Sequence, residues 1–222
     1  LGSINPVGEV VKRAHSVGAA VFVDAAQAVA RMPINVQKWD CDFLAFSGHK
    51  LYGPTGIGVL WVKQDQMQKM SPWQTGGGMI SKVDRLESHW ASGPAKFEAG
   101  TPPVAQAAGL TAASDFILET GFDSITRHET ELTQICLDKL QSETDVEIYG
   151  PTSMESRAGV VAFNLRGVHP HDVAQVLNES GIAVRAGHHC TQVLHSKLGL
   201  QASVRLSVGV YNTEEELSLI HI

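Results

Sequence analysis

The chain has 222 residues, 43% hydrophobic and 18% charged, which is enough for a substantial core and excludes wholesale disorder. Seventeen basic against twenty-three acidic residues give a formal net charge of −6 with no Lys/Arg run, so nucleic acid is not an expected partner. No apolar stretch approaches the ~18–20 residues that span a bilayer, so a membrane is not one either.

The chain opens on Leu1-Gly2-Ser3-Ile4-Asn5 without a methionine, as a piece cut in mid-element would. Asn5 can cap a helix, Pro6 suits the first helical position, and Val7, Val10, Val11 and Ala14 fall at helical spacing before Gly18. Three short apolar runs follow: 19–23 ending in Asp24, 41–46 ending in Ser47-Gly48-His49-Lys50, and 56–62. Such runs alternating with helices imply a sheet covered on both faces, where polar residues just past a strand's C-terminal end form the site. Residues 71–103 read as a long irregular loop rich in Gly and Pro, which inside a compact domain is functional or partner-contacting.

From Val104 to about Leu140 the pattern is helical with a break at Gly121. A second α/β unit follows, with strands expected at 146–149, 158–165, 182–185 and 203–208 and a helix at 170–179. Thr213 with Glu216 fits a capping box opening a last helix. The hexapeptide Leu217–Ile222 matches what a common sequencing adapter encodes in this frame, and is expected to be a non-native tail.

Two constellations could carry chemistry. In the first, Asp24 and Gln27 end one buried strand, and Ser47, His49 and Lys50 end a neighbouring one. A lysine there is costly to bury unless it is paired or used covalently, and a Schiff base to an aldehyde cofactor would do the latter. Pyridoxal phosphate needs a carboxylate beside its ring nitrogen, for which Asp24 has the right character, and donors to its phosphate, which Ser47 and His49 could supply. Spacing alone equally permits a solvated turn lysine and a capping aspartate.

The second constellation is Arg185-Ala186-Gly187-His188-His189-Cys190. Adjacent residues seldom supply three tetrahedral metal ligands, so no metal is expected. A reactive thiol favoured by nearby Arg and His, and an inert core cysteine, both remain open for Cys190. Cys41 and Cys136 lie in apolar patterns and read as core; three cysteines without close pairs argue against disulfides and for a reducing, cytoplasmic compartment. Arg205, inside an alternating strand, either reaches solvent or holds an anion such as an amino-acid carboxylate. His15, His89, His128, His169, His171 and His195 join no constellation and read as surface or structural.

Val23-Asp24-Ala25-Ala26-Gln27, Ala45-Phe46-Ser47-Gly48-His49-Lys50-Leu51-Tyr52-Gly53 and Arg185–Cys190, together with Phe97-Glu98-Ala99-Gly100-Thr101 and Arg205 to Thr213, resemble the class V aminotransferase-like cysteine desulfurases of the sulfur-mobilisation group. The resemblance runs up to Glu216. It implies an α/β fold: the second part of a fold type I pyridoxal-phosphate transferase large domain (1–115, mostly parallel sheet) and a smaller C-terminal α/β domain (116–216). It implies pyridoxal 5'-phosphate on Lys50, which would also move the proton. Asp24 would pair with the pyridinium, Gln27 would bond the phenolic oxygen, and Ser47 and His49 would bind the phosphate. Arg205 would hold the substrate carboxylate with Arg185 nearby, and Cys190 would take sulfur from L-cysteine to give L-alanine and a persulfide. Thr101, with Gly77, would reach the phosphate of the neighbouring subunit in a homodimer.

A small sulfur-acceptor protein and iron–sulfur cluster assembly are implied as the outlet, and selenocysteine lyase is the alternative within the family. The family's cofactor-stacking His, further phosphate-binding Thr residues and outer strands would lie upstream of Leu1, so the 222-residue chain alone is expected to be inactive or insoluble. Because Lys50 and Cys190 lie far apart in sequence, the resemblance draws on both α/β units.

Overall fold

The computed structural model describes residues 1–218. They form two compact units, one from Pro6 to Phe122, the other from Leu1–Asn5 together with the chain from Asp123 onward. The expected boundary at 115/116 lies seven residues before this division of contacts.

The first unit begins with α1 (Val7–His15), where Pro6 stands just before the first helical residue. Lys12, Arg13 and His15 occupy its last turn, where cations suit the helix dipole. Strand β1 (Phe22–Asp24), α2 (Val36–Trp39), β2 (Phe43–Ser47) and β3 (Gly58–Val62) follow. Strand β1 pairs parallel with β2, and β3 antiparallel with β2. Val11 of α1 is buried with Ala25, Cys41 and Leu44, and Val7, Val36, Trp39 and Trp61 pack around them. Coverage on both faces is not what the described residues show: Phe22 and Leu60, on the face away from Leu44, are 58% and 51% exposed. The α1 and α2 side chains of this cluster all pack on the Leu44 side.

After α3 (Gln64–Lys69), the stretch read as an irregular loop contains an antiparallel hairpin, β4 (Ile80–Val83) with β5 (Ser88–Trp90). The sequence pattern hides it because the strands are three or four residues long and carry Lys82 and His89. Helix α4 (Val104–Thr120) buries Leu110, Ala113 and Ile117 along one stripe and stops at Gly121, whose φ of 80° ends the helix where the break was expected.

Besides Leu1–Asn5, the second unit holds α5 (Phe122–Ser142) from Asp123 onward, then β6 (Val146–Tyr149), β7 (Val160–Leu165), α6 (Pro170–Glu179), β8 (Arg185–Gly187), α7 (Gln192–Lys197), β9 (Ser203–Ser207) and α8 (Glu214–Ser218). Its sheet has the order β6-β7-β9-β8, antiparallel throughout. Phe163 lies opposite Val204 and Val161 opposite Leu206, which puts all four on one face. That face packs with Leu132, Cys136 and Leu140 of α5 and Val173 and Leu177 of α6. Burying a side chain such as Phe163 contributes about 3 kcal/mol.

The capping box closes as expected: Glu216 N–H donates to Thr213 Oγ1 and Thr213 N–H to Glu216 Oε2. Within the expected tail, Leu217 is buried in this core and its carbonyl accepts from Lys139 Nζ at 3.0 Å; positions 219–222 lie outside the described residues.

Leu1–Asn5 joins this unit through Arg157. The buried guanidinium donates to the carbonyls of Val160 (2.7 Å), Tyr149 (3.0 Å) and Leu1 (3.3 Å) and also to that of Pro151. Ile4 N–H donates to Ser156 O, and Ala158 N–H to Gly2 O.

Candidate active site

In the first unit the register sets Asp24 level with Ala45, so β1 and β2 deliver their polar C-terminal residues at one edge of the sheet. Asp24 ends β1 exposed, and its Oδ1 accepts the Ala26 N–H at 2.9 Å, which orients the carboxylate. Gln27 is exposed just beyond. Ser47 ends β2, and Gly48–Lys50 form a single 3₁₀ turn that leaves His49 and Lys50 exposed.

The turn is held by its backbone. Gly48 N–H donates to Ile57 O at 2.9 Å, and Leu51 and Gly53 N–H both donate to Gly48 O. A Cβ on Gly48 would stand 2.8 Å from Ile57 Cγ2 and 3.1 Å from its carbonyl, so only glycine fits beside the lysine. Helix α4 supports the turn from behind, with Leu110 against Gly53 and Gly109 close to Pro54. Thr101 follows Gly100, whose N–H donates to Gly77 O at 2.8 Å, so the structure ties together the loops that carry Thr101 and Gly77.

In the second unit Arg185 of β8 lies directly opposite Arg205 of β9, which puts both on the sheet face away from the α5–α6 core. Like charges placed opposite each other destabilise a sheet, and two guanidinium groups on one face have the donors a carboxylate would need. Cys190 follows β8 in a turn where His189 (φ 52°) and Cys190 (φ 64°) are both left-handed, a conformation costing an L-residue about 1–2 kcal/mol. Cys190 is exposed and lines an open cleft of about 580 Å³ with Arg185, His188 and His189. Cys41 and Cys136 are buried, and burial pushes the Cys136 thiol up to about 12.

His189 is pushed down to about 4, first by burial and then by the charges of Arg205, His195 and Arg185, against the opposing effect of its bond to the Ser203 carbonyl. It is therefore a neutral imidazole at physiological pH, and its Nε2 is committed to Ser203 O at 2.9 Å. Among the described residues no group of three His, Cys, Asp or Glu side chains is arranged to hold a metal ion.

The class-V aminotransferase family profile matches residues 1–220. The chain belongs to the class-V aminotransferase family. It is 49% identical over 217 residues to a cysteine desulfurase of Haloferax volcanii, covering 98% of this chain and 51% of that protein. It is 50% identical over 220 residues to a probable cysteine desulfurase of Halalkalibacterium halodurans, covering 99% and 53%. Among solved structures it is similar to the apo cysteine desulfurase of Thermococcus onnurineus (TM-score 0.94, 43% identity, 98% of this chain, 55% of that one). It is also similar to the cysteine desulfurase CsdA of Escherichia coli in an S-sulfonic acid form (TM-score 0.92, 38% identity, 98% and 54%). The chain spans about half the length of the curated relatives it matches.

Pyridoxal phosphate fits the donor set of this class-V chain. An exposed amine, Lys50, stands in a turn whose first residue must be glycine, an oriented carboxylate, Asp24, ends the adjacent parallel strand, and Ser47 and His49 lie within three residues of the amine in sequence.

One histidine near Cys190 reads in the sequence only as surface or structural. His195 on α7 is fully buried and bonded to the turn that carries the thiol. The available signal was its position four residues after Thr191, one helical turn beyond Cys190. The six-residue α7 lacks the periodicity that would have drawn attention to it.

Proposed function

We propose that this chain is part of a pyridoxal-phosphate-dependent cysteine desulfurase that converts L-cysteine to L-alanine and leaves a persulfide on Cys190. The observation that carries the reading is an exposed cysteine held in a left-handed turn beside a cross-strand arginine pair. A thiol presented next to a carboxylate-binding site is what sulfur abstraction from an amino acid requires.

Lys50 would hold the cofactor covalently, Asp24 would pair with its ring nitrogen, Gln27 would bond its phenolic oxygen, and Ser47 and His49 would bind its phosphate. When bound, pyridoxal phosphate stabilises the negative charge that develops at the substrate α-carbon. Arg205, with Arg185 beside it, fixes the substrate carboxylate through charge-assisted hydrogen bonds. Lys50 takes the α-proton and later returns one. The Cys190 thiolate attacks the substrate sulfur: an S–S bond forms, the substrate Cβ–S bond breaks, and its electron pair stays with the carbon fragment, which is protonated to alanine. The terminal sulfur remains on Cys190 as a persulfide.

On this reading residues 1–115 belong to a cofactor-binding large domain and 116–216 to a small domain, and the enzyme is a homodimer in which Thr101 and Gly77 reach the partner's phosphate. An exposed persulfide suits hand-over to a small sulfur-acceptor protein for iron–sulfur cluster assembly. Three free thiols suit a reducing, cytoplasmic setting.

Two variants of the holoenzyme test the assignment. Lys50→Ala is expected to abolish the visible absorbance of lysine-bound pyridoxal together with turnover. Cys190→Ala is expected to keep that absorbance and reduce alanine formation from L-cysteine by at least about 10²-fold. Undiminished turnover in Cys190→Ala would sink the nucleophile assignment, and activity confined to L-selenocysteine would move the reading to a lyase.

A further inference from the structure

The turn that presents Cys190 is backbone-strained and its thiol is exposed, so other groups must hold it. His189, the first of the two left-handed residues, is anchored to Ser203 of β9: its Nε2 lies 2.9 Å from the Ser203 carbonyl and 3.1 Å from Ser203 Oγ. Ser203 is fully buried, and its Oγ also lies 2.9 Å from Nε2 of the fully buried His195. Nδ1 of His195 lies 3.0 Å from the carbonyl of Thr191, the residue after Cys190. Thr191 Oγ1 and N–H in turn both donate to the His188 carbonyl at 2.8 Å. The links therefore grip the turn from both sides of the cysteine.

A carbonyl only accepts, so His189 Nε2 carries a hydrogen and donates to Ser203, and His195 Nδ1 carries one and donates to Thr191. The Ser203 hydroxyl stands between the two imidazoles, 3.1 Å from His189 Nε2 and 2.9 Å from His195 Nε2. The His195 ring also stands edge-on to both His188 and His189, each at 5.7 Å between centroids.

We propose that His195 is the positioning residue for the Cys190 thiol: through Ser203 it fixes His189, through Thr191 it fixes the far side of the turn, and together these hold the thiol in line with the substrate sulfur. The inference rests on the reading of Cys190 as the sulfur acceptor. His195 touches no reacting atom, so its effect lies in the rate of sulfur transfer and not in substrate or cofactor binding.

The test uses the holoenzyme with His195→Ala, His195→Gln and Ser203→Ala. It measures kcat and KM for alanine formation from L-cysteine, the alkylation rate of Cys190 by iodoacetamide, and the visible absorbance of lysine-bound pyridoxal. His195→Ala is expected to lower kcat by about 10²-fold, the loss that misplacing a reacting group produces, and to change the alkylation rate. KM and absorbance should stay within about twofold of the wild type. His195→Gln keeps one donor and one acceptor and should recover part of kcat. Ser203→Ala should resemble His195→Ala, and the double variant should be little worse than either, because both break one linkage.

A kcat and alkylation rate unchanged in His195→Ala would overturn the proposal. So would a loss of turnover that glutamine does not relieve and that comes with loss of the absorbance, since that marks general structural support. If wild-type turnover survives Cys190→Ala, the desulfurase reading fails and this proposal with it; Cys190-dependent turnover indifferent to His195 overturns this proposal alone.

Discussion

Residues of one type differ here by what surrounds them. Cys136 lies among Leu132, Leu137 and Leu140, where a thiolate has no solvation, whereas Cys190 stands in an open turn beside Arg185. Under native conditions iodoacetamide is expected to label Cys190 and leave Cys41 and Cys136 unmodified, as peptide mass spectrometry can read; labelling of Cys136 before unfolding would contradict the packing. His189 adds a pH dependence. Its folded value of about 4 lies below the ordinary 6.5, so between those values the unfolded chain binds a proton that the folded chain does not. Stability is thus expected to fall as pH drops from about 6.5 to about 4. Urea midpoints at the two ends of that window, compared with His189→Gln, check this: the variant should lose less.

At the level of elements, the lysine turn depends on a glycine more than on any side chain. Gly48→Ala is expected to push the 3₁₀ turn away from Ile57 and to weaken cofactor retention by about tenfold or more, measured by equilibrium dialysis of pyridoxal phosphate, with helix content unchanged. Retention equal to wild type would mean the turn tolerates the shift. Helices with a long stripe were legible in the sequence: the break at Gly121 and the helix over 170–179 stand where the pattern put them. The hairpin of β4 and β5 was not, because three- and four-residue strands with charges on them carry no readable alternation. The candidate site was legible where its residues are neighbours in sequence. Asp24 and Lys50 follow apolar runs, and Arg185 and Cys190 share one short segment. The Arg185–Arg205 pairing and the buried His195–Ser203 contact were not legible, since each depends on strand register or on a turn's path that sequence spacing does not encode.

At the scale of the molecule, several large apolar side chains among the described residues stand open to solvent. Phe22 and Leu60 lie open on one sheet face, and Trp73 and Leu86 are 95% and 97% exposed. The 222-residue chain by itself is expected to bind a hydrophobic dye and to self-associate; a monodisperse monomer without dye binding would show that these residues need no cover. The Arg157 contact has a consequence in time. It joins a carbonyl at residue 1 to a guanidinium 156 positions later, with the whole first unit strung between. At a synthesis rate of about 5–20 residues per second, Leu1–Asn5 waits about 10–30 s for the segment it binds to leave the ribosome. The second unit therefore cannot close around Leu1–Asn5 until the segment that carries Arg157 has been made.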